Sequence, residues 1–145
     1  MGPVLHNQVC YALYSTSSIV TQAYRPLLAP LELTYPQFVV MMSLWQKDHI
    51  SVTELANTVG LSKSTMTPLL TRLALLKYIT KEFEAGNDRQ KCIALTKLGQ
   101  SHAKEANKAA EKALCATGLN NDEAQQLISL CNKVKTNLTN LKIKK

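Results

Sequence analysis

Four of the 145 residues are cysteines, Cys10, Cys92, Cys115 and Cys131, and the thiolate of a cysteine does nucleophilic and redox chemistry. Cys10 and Tyr14 stand at i and i+4, on one face of a helix. Tyr24, fourteen residues beyond Cys10, returns to within about 40° of that face at 3.6 residues per turn. Phenolic donors stabilise a thiolate, and apolar surroundings favour an alkyl hydroperoxide over a well-hydrated peroxide. A buried packing cysteine with aromatic neighbours is the competing reading of Cys10, and the residues alone favour it. No Cys-x-x-Cys pair or cysteine–histidine cluster suggests zinc, because His6, His49 and His102 are scattered, so no metal and no cofactor are expected. With no export signal at the start, four cysteines in a chain of this length read as free thiols rather than a disulfide scaffold.

The segments that must position these residues fit one domain. The length and the 46% hydrophobic content suit a single core, and only five Gly and five Pro argue for a mainly helical chain. The longest apolar run, Phe38 to Met42, is far short of a membrane span, so a cytoplasmic protein without membrane contact is expected. The net charge of +7 is uneven. Residues 1–46 carry only Arg25 and Glu32, residues 47–100 eight basic and five acidic side chains, and residues 101–145 eight and four. A nearly uncharged first third must be covered by other elements or by another subunit. The basic remainder suits a polyanion, although a solubilising surface has the same composition.

Apolar spacing of three, four and seven predicts a long helix from Leu5 to Leu28. A second runs from about Pro36 to Gln46 with Thr34 as its N-cap. Ile50–Val52 reads as a short strand, and Thr53 as the cap of a helix Glu54–Val59 that ends at Gly60. Ser62 then caps another helix. Counted from Val52, the residues Leu55, Ala56, Val59, Gly60, Leu61, Met66 and Leu69 fall where a helix-turn-helix needs apolar, small and turn residues. An ordinary pair of helices is the plainer alternative. Lys63, Ser64, Thr65, Thr67 and Thr71 are hydrogen-bond donors on the face not needed for packing, as a recognition helix requires, and Arg72 is a candidate for phosphate or groove contact. Pro68 falls inside this helix, where a bend or local unwinding is expected.

Tyr78–Phe83 and Gln90–Leu95 have strand character, and Glu84–Arg89 between them has turn chemistry. Such a hairpin beside a recognition helix is a wing, and Arg89 at its tip suits a minor groove. Asp88 is counted with Arg89 among the DNA-contacting residues. Thr96 caps a helix predicted to run to about Thr117 with Gly118 as its stop, and Asn121, Asp122 and Glu123 open the last helix. Long helices at both ends of a small module suggest pairing between subunits, a closed monomeric bundle being the alternative. One domain, 1–145, is expected, with about 1–30 and 96–145 as dimerisation helices and about 50–95 as the winged helix-turn-helix.

This order of elements, with Asp88-Arg89 and Leu95-Thr96, resembles the MarR family of dimeric winged-helix transcription regulators over nearly the whole chain. Asn7-Gln-Val-Cys10, Tyr14, Tyr24-Arg-Pro-Leu-Leu28 and Leu33-Thr-Tyr35-Pro-Gln37 are similar to its OhrR-like members, repressors that sense organic hydroperoxides through a cysteine near the N-terminus. The resemblance implies that Cys10 is the peroxidatic thiol and that Tyr14, Tyr24 and Tyr35 surround it, some from the opposing subunit. It also implies that Cys115 resolves the oxidised Cys10 of the other subunit as a disulfide. Cys92 and Cys131 read as packing residues.

The expected protein is therefore a homodimeric repressor, not an enzyme, that holds a pseudo-palindromic operator in double-stranded DNA and leaves it when an organic hydroperoxide oxidises Cys10. Three other readings compete with it. They are a regulator released by a small phenolic ligand, a thiol-dependent peroxidase using Cys10 and Cys115, and an architectural protein without operator preference.

Overall fold

Caps and turns divide the chain where hydrogen-bonding side chains meet the ends of apolar runs. The computed structural model describes residues 2–84 and 87–143, with side chains described for 2–83 and 91–141. A 3-10 turn, Leu5–Asn7, precedes helix α1, Val9–Leu28. The single helix expected from Leu5 is thus broken at Gln8, whose backbone is extended (φ −96°, ψ 119°). Helix α2, Tyr35–Gln46, begins at Thr34 as expected, and Gln37 accepts the Thr34 amide at 2.9 Å. Strand β1 is Ile50–Ser51, followed at once by α3, Val52–Val59. Ser51, not Thr53, caps α3, its hydroxyl accepting the Glu54 amide at 3.1 Å, because the helix starts two residues earlier than the sequence suggests. Gly60 takes the left-handed conformation (φ 72°) that turns α3 into α4, Lys63–Leu75.

Strands β2, Ile79–Glu84, and β3, Asn87–Leu95, form the hairpin, and β1 adds to β3 on its other side, giving the antiparallel order β1-β3-β2. The expected six-residue loop is shorter than predicted. Asp88 and Arg89 belong to the backbone of β3, with Asn87 paired to Glu84. Residues 85 and 86 lie outside the described residues, as do the side chains of Asp88 and Arg89.

Thr96 caps α5, Lys97–Ser101, through its hydroxyl and the Gly99 amide at 3.0 Å. The single helix expected from Thr96 to Thr117 is interrupted at His102, and α6 runs Ala103–Ala116. The interruption coincides with a dense junction. The His102 ring packs edge-on against Tyr78, centroids 4.6 Å apart, and Trp45 Nε1 donates to the Gly99 carbonyl at 2.9 Å. Tyr78 also donates its hydroxyl to the Leu31 carbonyl at 2.9 Å. Burial raises the Tyr78 phenol above its usual pKa, with a smaller contribution from Glu32, so it stays a donor at neutral pH.

The chain divides into two compact units, Met1–Ala110 and Glu111–Lys145. The first holds a core of Leu28, Phe38, Met41, Leu44, Ile50, Leu55, Met66, Leu70, Leu73 and Ile93, each at most 2% exposed, closed by Ala106 and Ala109. The second contains helix α7, Asn121–Ile143, which opens at Asn121 as expected, behind a reciprocal cap. Asn120 accepts the Glu123 amide at 2.9 Å while Glu123 accepts the Asn120 amide at 2.8 Å. Leu127, Ile128, Leu130, Leu138 and Leu141 of α7 are exposed. Gly118, with φ 72°, stops the preceding helix as expected. No single helix among the described residues is long and apolar enough to cross a membrane.

Candidate nucleic-acid interface and thiol site

Helix α4 has two faces. Met66, Leu70 and Leu73 are buried, whereas Lys63, Ser64, Thr65, Thr67, Pro68, Thr71 and Arg72 are exposed on the opposite arc. The hydroxyls on that arc are held locally. Ser62, the N-cap, accepts the Thr65 amide at 3.2 Å and shares hydrogen bonds with the hydroxyls of Ser64 (2.9 Å) and Thr65 (2.8 Å). Thr67 donates to the Lys63 carbonyl at 3.0 Å and Thr71 to the Thr67 carbonyl at 2.9 Å. Their oxygens keep lone pairs for external donors, and the proton can rotate to an external acceptor. Lys63 and Arg72 place two cations on this arc, at its start and in its last turn.

The helix runs unbroken from Lys63 to Leu75, so the local unwinding considered at Pro68 is not found. Pro68 is the sixth residue of α4, and the donor it lacks would have served the carbonyl of Ser64, which like Pro68 is exposed. The missing hydrogen bond therefore falls on the exposed arc, away from the buried face of Met66, Leu70 and Leu73.

The thiol site is divided. Cys10 is exposed near the start of α1, and Tyr14 beside it is 75% exposed. Tyr24, near the far end of α1, packs with tilted rings against Tyr35 at 4.9 Å between centroids and against Phe38 at 5.6 Å. Phe38 in turn meets the edge of Trp45 at 6.3 Å. Burial, then the proximity of Tyr35, raises the Tyr24 phenol above its ordinary pKa, so it remains a protonated donor at neutral pH. Within one chain Cys10 and Tyr24 cannot meet. They share a straight run of helix and stand about 21 Å apart along its axis at about 1.5 Å per residue. The angular agreement read from the sequence is real, but the axial separation divides the expected cluster into Cys10–Tyr14 and Tyr24–Tyr35.

A pocket of about 180 Å³ adjoins the tyrosine pair, lined by Thr21, Gln22, Arg25, Leu33, Thr34, Tyr35 and Pro36. Sequence reading missed Thr21 and Arg25 here. Their i, i+4 spacing places them on one face of α1, but nothing in the sequence sets that face beside the start of α2. Of the remaining cysteines, Cys115 is exposed on α6, Cys131 is half-buried on α7, and Cys92 is buried on β3, the last in keeping with a packing residue.

A helix-turn-helix whose second helix presents hydroxyls and cations, followed by an antiparallel hairpin that a short strand extends, defines a winged-helix protein. The MarR family profile matches residues 33–91. The regulator MgrA of Staphylococcus aureus is 30% identical over 131 residues, covering 90% of this chain and 89% of its own. The chain belongs to the MarR family. The regulator TtmR of Methylorubrum extorquens is 34% identical over 124 residues, 86% of this chain and 64% of its own. The organic hydroperoxide resistance transcriptional regulator of Bacillus subtilis is 35% identical over 95 residues, 66% of this chain and 65% of its own. The chain thus spans slightly under two thirds of the length of these last two. All three relatives are transcriptional regulators, not enzymes.

Among solved structures, reduced AbfR bound to DNA superposes with a TM-score of 0.80 at 26% identity, covering 94% of both chains. AbfR of Staphylococcus epidermidis gives 0.79 at 28%, covering 97% of this chain and 95% of its own. The disulfide-formed AbfR gives only 0.66 at 27%, covering 97% and 93%.

Proposed function

We propose that this chain is a homodimeric, operator-binding repressor that an organic hydroperoxide inactivates through Cys10. The carrying observation is the divided thiol site. A half-buried, protonated Tyr24 beside Tyr35 is ready to donate, and an exposed Cys10 lies on the same helix too far away to use it. A second copy whose α1 crosses antiparallel brings each Cys10 level with the partner's pair, the two-fold axis falling near residue 17, midway between positions 10 and 24. Ser15, Thr16, Ser17 and Ser18 occupy that crossing, small enough for close approach, and Val9 and Ile19 are about two-thirds exposed in the single chain. Tyr14, exposed beside Cys10, completes the ring of phenols.

The Cys10 thiolate attacks the outer oxygen of the hydroperoxide. The O–O bond breaks, the alkoxide leaves and takes a proton as the alcohol, and the cysteine becomes a sulfenic acid. The Cys115 thiol of the other subunit then displaces hydroxide, giving a disulfide and water. In the reduced dimer the two α4 helices occupy successive major grooves about one helical turn apart. Lys63 and Arg72 meet phosphate, Ser64, Thr65 and Thr67 meet base edges or backbone, and the wings with Asp88 and Arg89 reach the flanking grooves. AbfR, a structural relative at 26–27% identity, is known in a reduced form bound to DNA and in a disulfide form, the two states this reading requires. The similarity to a hydroperoxide resistance regulator points to the same effector class.

Fluorescence anisotropy on DNA from upstream of the chain's own gene tests the reading. Reduced protein binds, one equivalent of an organic hydroperoxide releases it, and added reductant restores binding. Binding indifferent to hydroperoxide sinks the switch and favours the second reading, a small phenolic effector in the pocket that Arg25 and Tyr35 both line. At the DNA face, Lys63→Ala and Arg72→Ala each remove two phosphate contacts per dimer and lower the slope of log affinity against log salt by about 2, with little change in sequence preference. A slope unchanged in both variants removes α4 from the phosphate contacts.

A further inference from the structure

His49, the residue that leads from α2 into β1, has a left-handed backbone (φ 52°), which few non-glycine residues adopt. Its imidazole reaches the base of the hairpin, with Nδ1 3.8 Å from Glu82 Oε2. Glu82 on β2 is the register partner of Cys92 on β3. One donor atom each from His49, Glu82 and Cys92 lies within 4.8 Å of the other two. On the opposite side of the ring, Nε2 is 3.8 Å from Asp48 Oδ2. The other Asp48 oxygen accepts the amides of His49 and Leu95, both at 2.8 Å, so this carboxylate is fixed by backbone on two segments. Thr80 fixes the far oxygen of Glu82 with a hydrogen bond of 3.0 Å.

An imidazole with one nitrogen toward other donors and the other toward an anchored carboxylate has the arrangement in which an outer carboxylate orients a metal-bound histidine. We propose that His49 Nδ1, Glu82 Oε2 and Cys92 Sγ form a binding site for a divalent transition-metal cation, with Zn²⁺ the ion best matched. A mixed nitrogen, carboxylate and thiolate set suits zinc and disfavours magnesium and calcium, which want oxygen alone. Zinc bonds of about 2.0–2.3 Å require donors roughly 3.5 Å apart. The 3.8 Å pair is near that already, and the remaining closure falls to the exposed side chains, His49 at 65% and Glu82 at 50% exposure, the latter pivoting on its hydrogen bond from Thr80. The same exposure leaves a fourth position to water. Binding releases the Cys92 proton to solvent and ties the turn before β1 to both strands of the wing.

The full-length reduced chain, stripped of metal and titrated with Co²⁺, provides the test through the near-ultraviolet charge-transfer absorption of a cobalt–thiolate bond. The band grows to one equivalent, collapses on addition of Zn²⁺, and persists in a chain whose other three cysteines are serine (Cys10→Ser, Cys115→Ser, Cys131→Ser). Cobalt affinity falls at least about tenfold in His49→Gln and in Glu82→Gln, both exposed positions whose replacement leaves the fold intact by circular dichroism. No band in the unmodified chain overturns the site. So does a band lost with Cys10, Cys115 and Cys131 in a folded variant, or an affinity unchanged in His49→Gln. The band in the serine variant is independent of the hydroperoxide reading, since that chain lacks Cys10.

Discussion

Cys10→Ser binds operator DNA as the reduced protein does and stays bound when an organic hydroperoxide is added. In the unmodified chain the same challenge weakens binding at least about a hundredfold, about 2.7 kcal/mol of differential affinity between the two forms. In the serine variant the change is less than about twofold. A serine hydroxyl is not ionised at neutral pH and forms no sulfenic acid, so the first step is removed while the packing of an exposed side chain is unaltered. Cys115→Ser separates the second step. Its Cys10 still oxidises, but the 16.1 kDa chain no longer shifts to a covalent dimer on a non-reducing gel. Peroxide-induced release from Cys10→Ser contradicts the sensing role outright. A covalent dimer in Cys115→Ser assigns resolution to another thiol.

Gly99→Ala loses a large part of the stability of the first unit. A Cβ on Gly99 lies 2.0 Å from the Tyr78 carbonyl oxygen and 2.9 Å from its carbon, both backbone atoms that cannot rotate aside. That carbonyl accepts the Thr96 amide at 3.0 Å, and the Gly99 carbonyl holds the Trp45 indole at 2.9 Å, so relief of the clash pulls apart the junction of β2, α5 and α2. Overpacking costs about 1–3 kcal/mol where side chains can yield, and a clash between main chains belongs at or above the top of that range. The melting temperature, followed by circular dichroism, falls by about 10 °C or more. Gly60→Ala provides the comparison. At φ 72° with nothing within 4 Å of the added carbon, it meets only the left-handed backbone penalty of about 1–2 kcal/mol. A Gly99→Ala chain as stable as Gly60→Ala means that the junction is softer than its geometry requires.

The helix-turn-helix was legible because its determinants are local. Gly60 turns the chain through its own backbone freedom, Ser62 caps α4 with its own hydroxyl, and the buried face of α4 follows from apolar residues spaced along one helix. Errors fell where a short-range choice had a long-range arbiter. Ser51 and Thr53 are both competent caps, and the pairing of Ser51 with Cys92 settles where α3 starts. The helix after Thr96 has no internal breaker at His102, and its interruption comes with the packing of that ring on Tyr78, twenty-four residues earlier. Pro68 is the opposite case. Helix α4 continues through it, the carbonyl left without a donor belongs to an exposed residue, and that exposure is not written at position 68.

The chemistry divides in the same way. Residue types and period alone determined that Cys10 and Tyr14 share a helix face, that α4 carries Lys63, Ser64, Thr67 and Arg72 on one arc, and that the chain begins almost uncharged. Each of these is a property of one segment and needs no neighbour. That Tyr24 packs against Tyr35 and that His49, Glu82 and Cys92 converge was decided by tertiary structure. These groups meet only when separate elements pack or strands pair, and a histidine thirty-three residues from its nearest partner carries no mark of that meeting in the sequence.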